Sequence, residues 1–244
     1  GVFAYAKSHD SIGGFQRECG AYEALKTTGV TTNCLAKDAQ NLSLLLADAG
    51  TRLSCEPQTN ALGREMWSVL SRMHGIHVAA DPMPMQLALH RRWTRLRERL
   101  GEHCSDALGT WMRHRIEQLP HVPRALVHRD LRPPHWYRHE KGVCLIDFGQ
   151  ARVDAVLFDA IPFYTGAFDG PVEKTVRGQF ECTYGHTVMD QVDVFAVLYL
   201  CGTIERIIYH NEVTEIDRAQ RLCINLNTWS NAPLDFDELM KRGH

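Results

Sequence analysis

Residues 125–152 read ALVHRDLRPPHWYRHEKGVCLIDFGQAR. Two short apolar runs, Ala125-Leu126-Val127 and Val143-Cys144-Leu145-Ile146, each end in a polar, largely acidic cluster: His128-Arg129-Asp130 and Asp147-Phe148-Gly149. Apolar runs of this length bounded by turn residues read as buried strands, and Lys141-Gly142 supplies the turn before the second run. The expectation is a pair of strands that deliver Asp130 and Asp147 to neighbouring loop mouths. Phosphoryl transfer has a use for two such carboxylates. One orients an attacking hydroxyl and accepts its proton, and the other holds the metal that bridges the nucleotide phosphates. The alternative is two strand-end aspartates in an unrelated fold.

A His-x-Asp loop followed by an Asp-Phe-Gly turn resembles the signature of the protein-kinase-like superfamily. The resemblance implies that Asp130 is the catalytic base and Asp147 a magnesium ligand. Gly149 is expected to give the tight turn after the metal ligand its backbone freedom. The superfamily pattern has an asparagine five residues after the catalytic aspartate as a further metal ligand, and this chain has His135 there. A neutral imidazole is a poorer partner for Mg2+ than an amide oxygen, although it suits softer divalent metals. Lipopolysaccharide sugar kinases are similar in carrying a histidine in that slot. Pro133-Pro134 stiffens the loop and fixes the orientation of His135.

Within the same loop, His128 is expected to pack beneath the backbone rather than to act as a base. Arg129 has two readings, a partner for a carboxylate or phosphate and an ordinary exposed arginine. Arg132 lies where protein kinases of the Ser/Thr type carry a lysine that neutralises the transferring phosphoryl group, and a planar guanidinium serves the same end. Asp159 resembles the aspartate that braces the catalytic loop in this superfamily, with a helix N-cap as the other reading.

Composition bounds what such a site can belong to. The chain has 244 residues, a formal charge of −2 and ordinary apolar and charged fractions, which fit a globular chain with a sizeable core. The charge gives no general pull toward nucleic acid or membrane surface. No apolar run is expected to reach the length of a membrane span, and no leader is expected. The eight cysteines, at 19, 34, 55, 104, 144, 182, 201 and 223, show neither a Cys-x-x-Cys motif nor a metal-ligand spacing. A reducing cytoplasm is the expected setting.

Outward from the central stretch, Val2 to Lys7 reads as a strand ending in a lysine, and a polar loop precedes a helix from about Phe15. Within the kinase resemblance Lys7 contacts the nucleotide phosphates and Glu18, in Phe-x-x-Glu, is its ion-pair partner in preference to Glu23. Taken alone, Lys7 reads as an exposed strand-end lysine. Two strands and a glycine-rich phosphate cover normally precede the lysine strand in this class, so a truncated small lobe is expected. Either the sequence is part of a longer product or the cover is lacking. Residues 27–41 read as loop and short strand, Leu42 to Leu46 as a buried strand, and Ala47, Asp48 and Ala49 as the connector whose backbone reads adenine, or else as an ordinary turn.

From Thr59, Leu62, Met66, Val69, Leu70 and Met73 mark one apolar helix face, which Gly75 and Asp81-Pro82-Met83-Pro84 end. Met85 to Leu100 carries Arg91, Arg92, Arg95, Arg97 and Arg99, read as a solvated helix face with attraction of an anionic substrate as the other reading. A helix is expected over Ser105 to Gln118, an irregular glycine-bearing segment over Phe163 to Gly185, an all-round apolar helix over Val188 to Tyr209, and an amphipathic helix within Glu215 to Met240.

The order strand lysine, Phe-x-x-Glu, Leu-Leu-Leu connector, Leu-x-x-Met-His, Leu-Pro-x-x-Pro-x-x-Leu-Val-His-x-Asp and Ile-Asp-Phe-Gly resembles the aminoglycoside phosphotransferase and choline kinase group over Val2 to Tyr209. The resemblance implies an α+β, protein-kinase-like two-lobed fold. Residues 1–50 would form the small nucleotide lobe and connector, and residues 51–244 the larger, mainly helical lobe. It also implies ATP with Mg2+ or Mn2+, and transfer to a hydroxyl of a sugar, aminocyclitol or amino alcohol. Asp169, Glu181, Asp190 and Asp193 are available to line a pocket for a cationic acceptor. Two rivals stay open: a catalytically silent kinase-fold module that binds nucleotide or a protein partner, and a lipopolysaccharide or protein kinase. No nucleic-acid partner is expected.

Overall fold

The computed structural model describes residues 4–77, 83–168 and 170–209. The expected helix within Glu215 to Met240, the Asp81-Pro82 break and Asp169 lie outside the described residues. The small lobe is a three-stranded antiparallel sheet in the order β1 (Ala4–Ser8), β3 (Ser43–Ala47), β2 (Cys34–Asp38). Leu44 and Leu46 are buried while Leu45 is 39 % exposed, the alternation of a sheet covered on one face. The Leu42 to Leu46 run is therefore half-buried, not fully buried as its composition implied.

Helix α1 (Ile12–Leu25) starts three residues before Phe15 because Ser11 caps it, its Oγ accepting the Gly14 N–H at 3.2 Å. Phe15, Glu18, Tyr22 and Leu25 turn inward at helical spacing, and the three apolar ones share a core with Leu44 and Leu46. Glu18 is thus a carboxylate on an apolar face, a placement that requires a partner.

After a connector that turns at Gly50 (φ 88°), β4 (Thr51–Arg52) pairs with β6 (Trp136–His139), and β6 pairs with β7 (Gly142–Leu145). Strand β5 (Arg124–Val127) instead pairs with β8 (Arg152–Ala155). The two apolar runs that carry the aspartates are therefore not each other's partners. Each pairs with a short polar strand, Trp136-Tyr137-Arg138-His139 or Arg152-Val153-Asp154-Ala155, whose local sequence holds little strand signal. A side chain ties the two runs together: His128 Nε2–H donates to the Ile146 carbonyl at 2.9 Å.

The large lobe is built on α2 (Asn60–His74), whose Thr59 Oγ1 accepts the Leu62 N–H at 3.1 Å, followed by α3 (Met85–Leu100) and α4 (Asp106–Glu117). Helix α5 (Leu157–Tyr164) follows β8. The segment expected to be irregular contains a helix, α6 (Gly170–Tyr184), whose buried Val172, Val176 and Phe180 recur every four residues. It packs tightly on α2: a Cβ on Gly63 would lie 2.7 Å from the Thr175 Cβ. The last described helices are α7 (His186–Met189) and α8 (Val192–Tyr209). Contrary to the expectation from sequence, the stretch His186–Ile208 is long and apolar enough to cross a membrane by length and composition, with 61 % of its most apolar window buried in the lobe.

Candidate active site

The catalytic loop leaves β5 at Val127 and is held from beneath. Asp159, fully buried on α5, accepts the His128 N–H at 3.0 Å and the Arg129 N–H at 2.8 Å. His74, at the end of α2, donates Nε2–H to the same carboxylate at 3.1 Å and accepts from the Tyr184 hydroxyl at 2.8 Å. Asp159 thus braces the loop and is not an N-cap. His128 is fully buried with both nitrogens engaged: Nδ1 accepts the Asp130 N–H at 3.3 Å while Nε2–H holds Ile146. Burial pushes its pKa below the ordinary value in spite of Asp159, which removes it as a base. Arg129 has left-handed backbone (φ 67°), and its side chain is sequestered behind the loop rather than exposed.

At the other mouth Asp147 itself occupies the left-handed region (φ 67°, ψ 63°), a strained conformation for a non-glycine residue. Gly149 does not, which corrects the reason expected for that glycine. A Cβ on Gly149 would stand 3.6 Å from Asp147 Oδ1 and 3.7 Å from Glu18 Oε2, so the absence of a side chain keeps the space above both carboxylates open. Lys7 Nζ donates to Glu18 Oε2 and to Asp147 Oδ1, each at 2.7 Å. Glu18 is fully buried and answers with its other oxygen, which accepts the Phe148 N–H at 3.2 Å. Arg17 adds a bond to the Gly149 carbonyl at 2.9 Å, and Tyr22 meets Phe148 edge-on. One helix therefore fixes both the strand lysine and the Asp-Phe-Gly turn. Glu23, the competing candidate, pairs instead with Lys26 and Lys37 on the surface.

His135 joins the two mouths. Its Nδ1–H donates to the Asp130 carbonyl at 2.6 Å, which leaves Nε2 as an acceptor 3.6 Å from Asp147 Oδ2. Asp130, Asp147, His135, Lys7 and Glu18 thus converge, as the sequence predicts. Burial acts to raise the Asp147 pKa, but the hydrogen bond and charge of Lys7, with His135, hold it below the ordinary carboxylate value. As a metal set, the donors are one carboxylate and one imidazole nitrogen. Among the described residues no group of three or more His, Cys, Asp or Glu side chains is arranged to hold a metal ion by itself. That suits an ion whose remaining positions are filled by water and phosphate oxygens. Arg132 stands beside this set: Nε is 3.0 Å from Asp130 Oδ1 and Nη2 is 3.3 Å from His135 Nε2, on a side chain 56 % exposed.

The connector is tied down by Thr32, whose hydroxyl lies 3.0 Å from the Ala47 carbonyl and 3.2 Å from that of Asp48, while Ala49 is buried. His9 was not anticipated. Its Nε2 lies 3.0 Å from Glu18 Oε2, and nothing in its local sequence marks it. Of the acidic residues available for a cationic acceptor, Asp193 and Glu181 are engaged by neighbouring side chains. Asp193 is bound by Arg115 Nη2 at 2.9 and 3.0 Å, with burial raising its pKa, and the Asp190 carbonyl binds the same guanidinium at 2.9 Å. Glu181 accepts from the Tyr164 hydroxyl at 3.4 Å. A cavity of about 240 Å3 does open beside the catalytic loop, lined by Leu53, Ser54, Gln58, Pro133, Trp136 and Phe168 among others. It draws on segments more than a hundred residues apart, and no contiguous motif announces it.

Comparisons agree with this architecture. APH(4)-Ia, as a thermostable mutant, superposes with a TM-score of 0.68 at 14 % identity over 96 % of this chain and 88 % of its own. The GDP and kanamycin complex of APH(2″)-IIIa gives 0.71 at 12 % identity over 92 % and 86 %. Choline kinase LicA from Streptococcus pneumoniae gives 0.67 at 14 % identity over 93 % and 84 %. No curated protein matches the chain in sequence. The family model of the APH phosphotransferase enzymes matches residues 41–195, more than half of the chain, and the chain belongs to that phosphotransferase enzyme family, within the protein-kinase-like superfamily.

Proposed function

We propose that this protein transfers the γ-phosphoryl group of ATP to a hydroxyl of a small molecule, a sugar, aminocyclitol or amino alcohol. The observation that carries the reading is His135 set between Asp130 and Asp147, with Lys7 bridging Asp147 to a buried Glu18. In this reading residues 1–50 form the nucleotide lobe and residues 51–244 the catalytic and acceptor lobe. Lys7, kept in place by Glu18, binds the phosphates, and the backbone of Ala47, Asp48 and Ala49 reads the adenine edge. Asp147 and His135 hold Mg2+ or Mn2+, which when bound neutralises charge on the phosphate oxygens. Asp130 orients the acceptor hydroxyl and takes its proton, and Arg132 moves from Asp130 to the charge that develops on the transferring group. Positioning and charge neutralisation supply most of the rate. The acceptor enters the cavity beside Pro133 and Trp136.

ADP release from ATP, followed with each divalent ion against a panel of sugars, aminocyclitols, amino alcohols and protein baits, tests this. Acceptor-dependent turnover that vanishes in Asp147→Ala while the fold persists is the expected result. Retained turnover in that variant refutes the metal assignment. One observation favours a second reading, nucleotide binding without turnover: Arg132 engages both Asp130 and His135 Nε2. Under that reading ATP raises the melting temperature but is not consumed, with or without Arg132→Ala.

A further inference from the structure

In the arginine run of α3, Arg91, Arg95 and Arg99 are exposed as the sequence implied, but Arg92 is drawn inward. Arg91, Arg92 and Arg95 meet Arg152 of β8 around a second cavity, of about 230 Å3, floored by Phe158. Behind it the Arg92 and Arg129 guanidiniums lie 4.9 and 4.4 Å from the centre of the Phe158 ring. Asp154 is the one carboxylate in the lining, and it is shared: its Oδ2 is 3.2 Å from Arg152 Nε and 3.4 Å from Arg129 Nε. Arg91, Arg92 and Arg95 have no carboxylate partner among the described residues. Arg92 Nη1 and Arg129 Nε are buried with no hydrogen-bond partner. Buried donors without hydrogen bonds on like charges around one ring are costly, and Asp154 and the Phe158 ring face them without accepting those bonds.

We propose that this cavity is a binding site for a phosphate-type oxyanion, the free ion or a phosphate or sulfate monoester, held by Arg91, Arg92, Arg95 and Arg152. Guanidinium forks match tetrahedral oxyanions in paired hydrogen bonds, and a single shared carboxylate cannot satisfy so many donors. Burial and neighbouring arginines lower the pKa values of Arg92 and Arg129 to about 10 and about 9, so both stay charged at neutral pH, Arg129 sharing Asp154 with Arg152 and Arg92 having no carboxylate beside it. The site adjoins the chemistry. Arg152 is in register with Val127, at the mouth of the catalytic loop, and Arg129 immediately precedes Asp130. The assignment does not depend on phosphotransferase activity. Only the identification of the oxyanion with a group on the acceptor rests on the function proposed above.

Binding of inorganic phosphate is measured by calorimetry and thermal shift on the full chain, with sodium chloride of equal ionic strength as control. Saturable stabilisation by phosphate is expected. It should weaken at least about tenfold in Arg91→Gln/Arg95→Gln, which alters exposed side chains and spares folding, and persist in Lys7→Met, where the nucleotide cradle is lost. An unchanged response in the double arginine variant, a lost response in Lys7→Met or no response at all overturns the proposal. ADP release with parent sugars and with their phosphate monoesters then locates the source. Preference for the monoesters that the double variant erases puts the oxyanion on the acceptor, and a phosphate response without such preference assigns a free ion. Nucleotide binding measured alongside separates failure of this site from failure of the kinase reading.

Discussion

Removing the Asp159 carboxylate should loosen the catalytic loop before it unfolds the lobe. In Asp159→Ala two buried backbone donors, the N–H groups of His128 and Arg129, lose their acceptor, as does His74 Nε2–H. An unsatisfied buried donor costs about 1–3 kcal/mol. Three of them, with some relief by entering water, give about 3–6 kcal/mol. For a chain of this size that is a fall in melting temperature of roughly 6–24 °C, at about 2–4 °C per kcal/mol. Asp159→Asn keeps one acceptor oxygen and turns an NH2 toward a donor, so its loss should be about 1–3 kcal/mol. Urea unfolding gives the stability difference, and ADP release gives turnover in the folded fraction. The asparagine variant should keep its affinity for nucleotide and lose turnover, because the displaced element is the loop bearing Asp130. A loss below about 1 kcal/mol in the alanine variant would sink the bracing argument.

Gly50→Ala puts a Cβ 2.1 Å from the Arg138 carbonyl oxygen at φ 88°. It should lose at least about 1–3 kcal/mol from backbone strain alone, read from the denaturation midpoint. His135→Asn places an amide oxygen at the proposed metal position and should raise turnover with Mg2+ relative to Mn2+; an unchanged ratio argues against His135 as a ligand. The depressed pKa of Asp147 makes its carboxylate stabilising above the ordinary carboxylate range and progressively less so as pH falls through the folded value. Asp147→Asn should therefore flatten the acid limb of the stability profile below about pH 4 and leave the neutral-to-alkaline region parallel to wild type.

Much of this was written locally. Ser11 and Thr59 cap their helices within a few residues of the expected starts, and Met85 to Leu100 forms the expected helix from end to end. Local signals reach no further than a turn or two. The Phe163 to Gly185 segment reads as loop because its glycines outweigh a sparse Val172, Val176 and Phe180 stripe, and it becomes helical where that stripe meets α2. Glu181 and Asp193 looked free because the sequence does not display their partners, Tyr164 and Arg115.

Which groups come together was legible in the chain, because Asp130, His135 and Asp147 are spaced by a short loop and a hairpin whose geometry is nearly forced, and the match of Lys7 to Glu18 needs only a strand and one helix. Tertiary structure alone decided which charges are paired and which are stranded. Whether an arginine faces water or shares the ring of Phe158 with another arginine depends on how α3, β8 and α5 pack, and that is settled by burial of their apolar faces over long separations in the chain. The charges are carried there by the packing and must find partners where it leaves them.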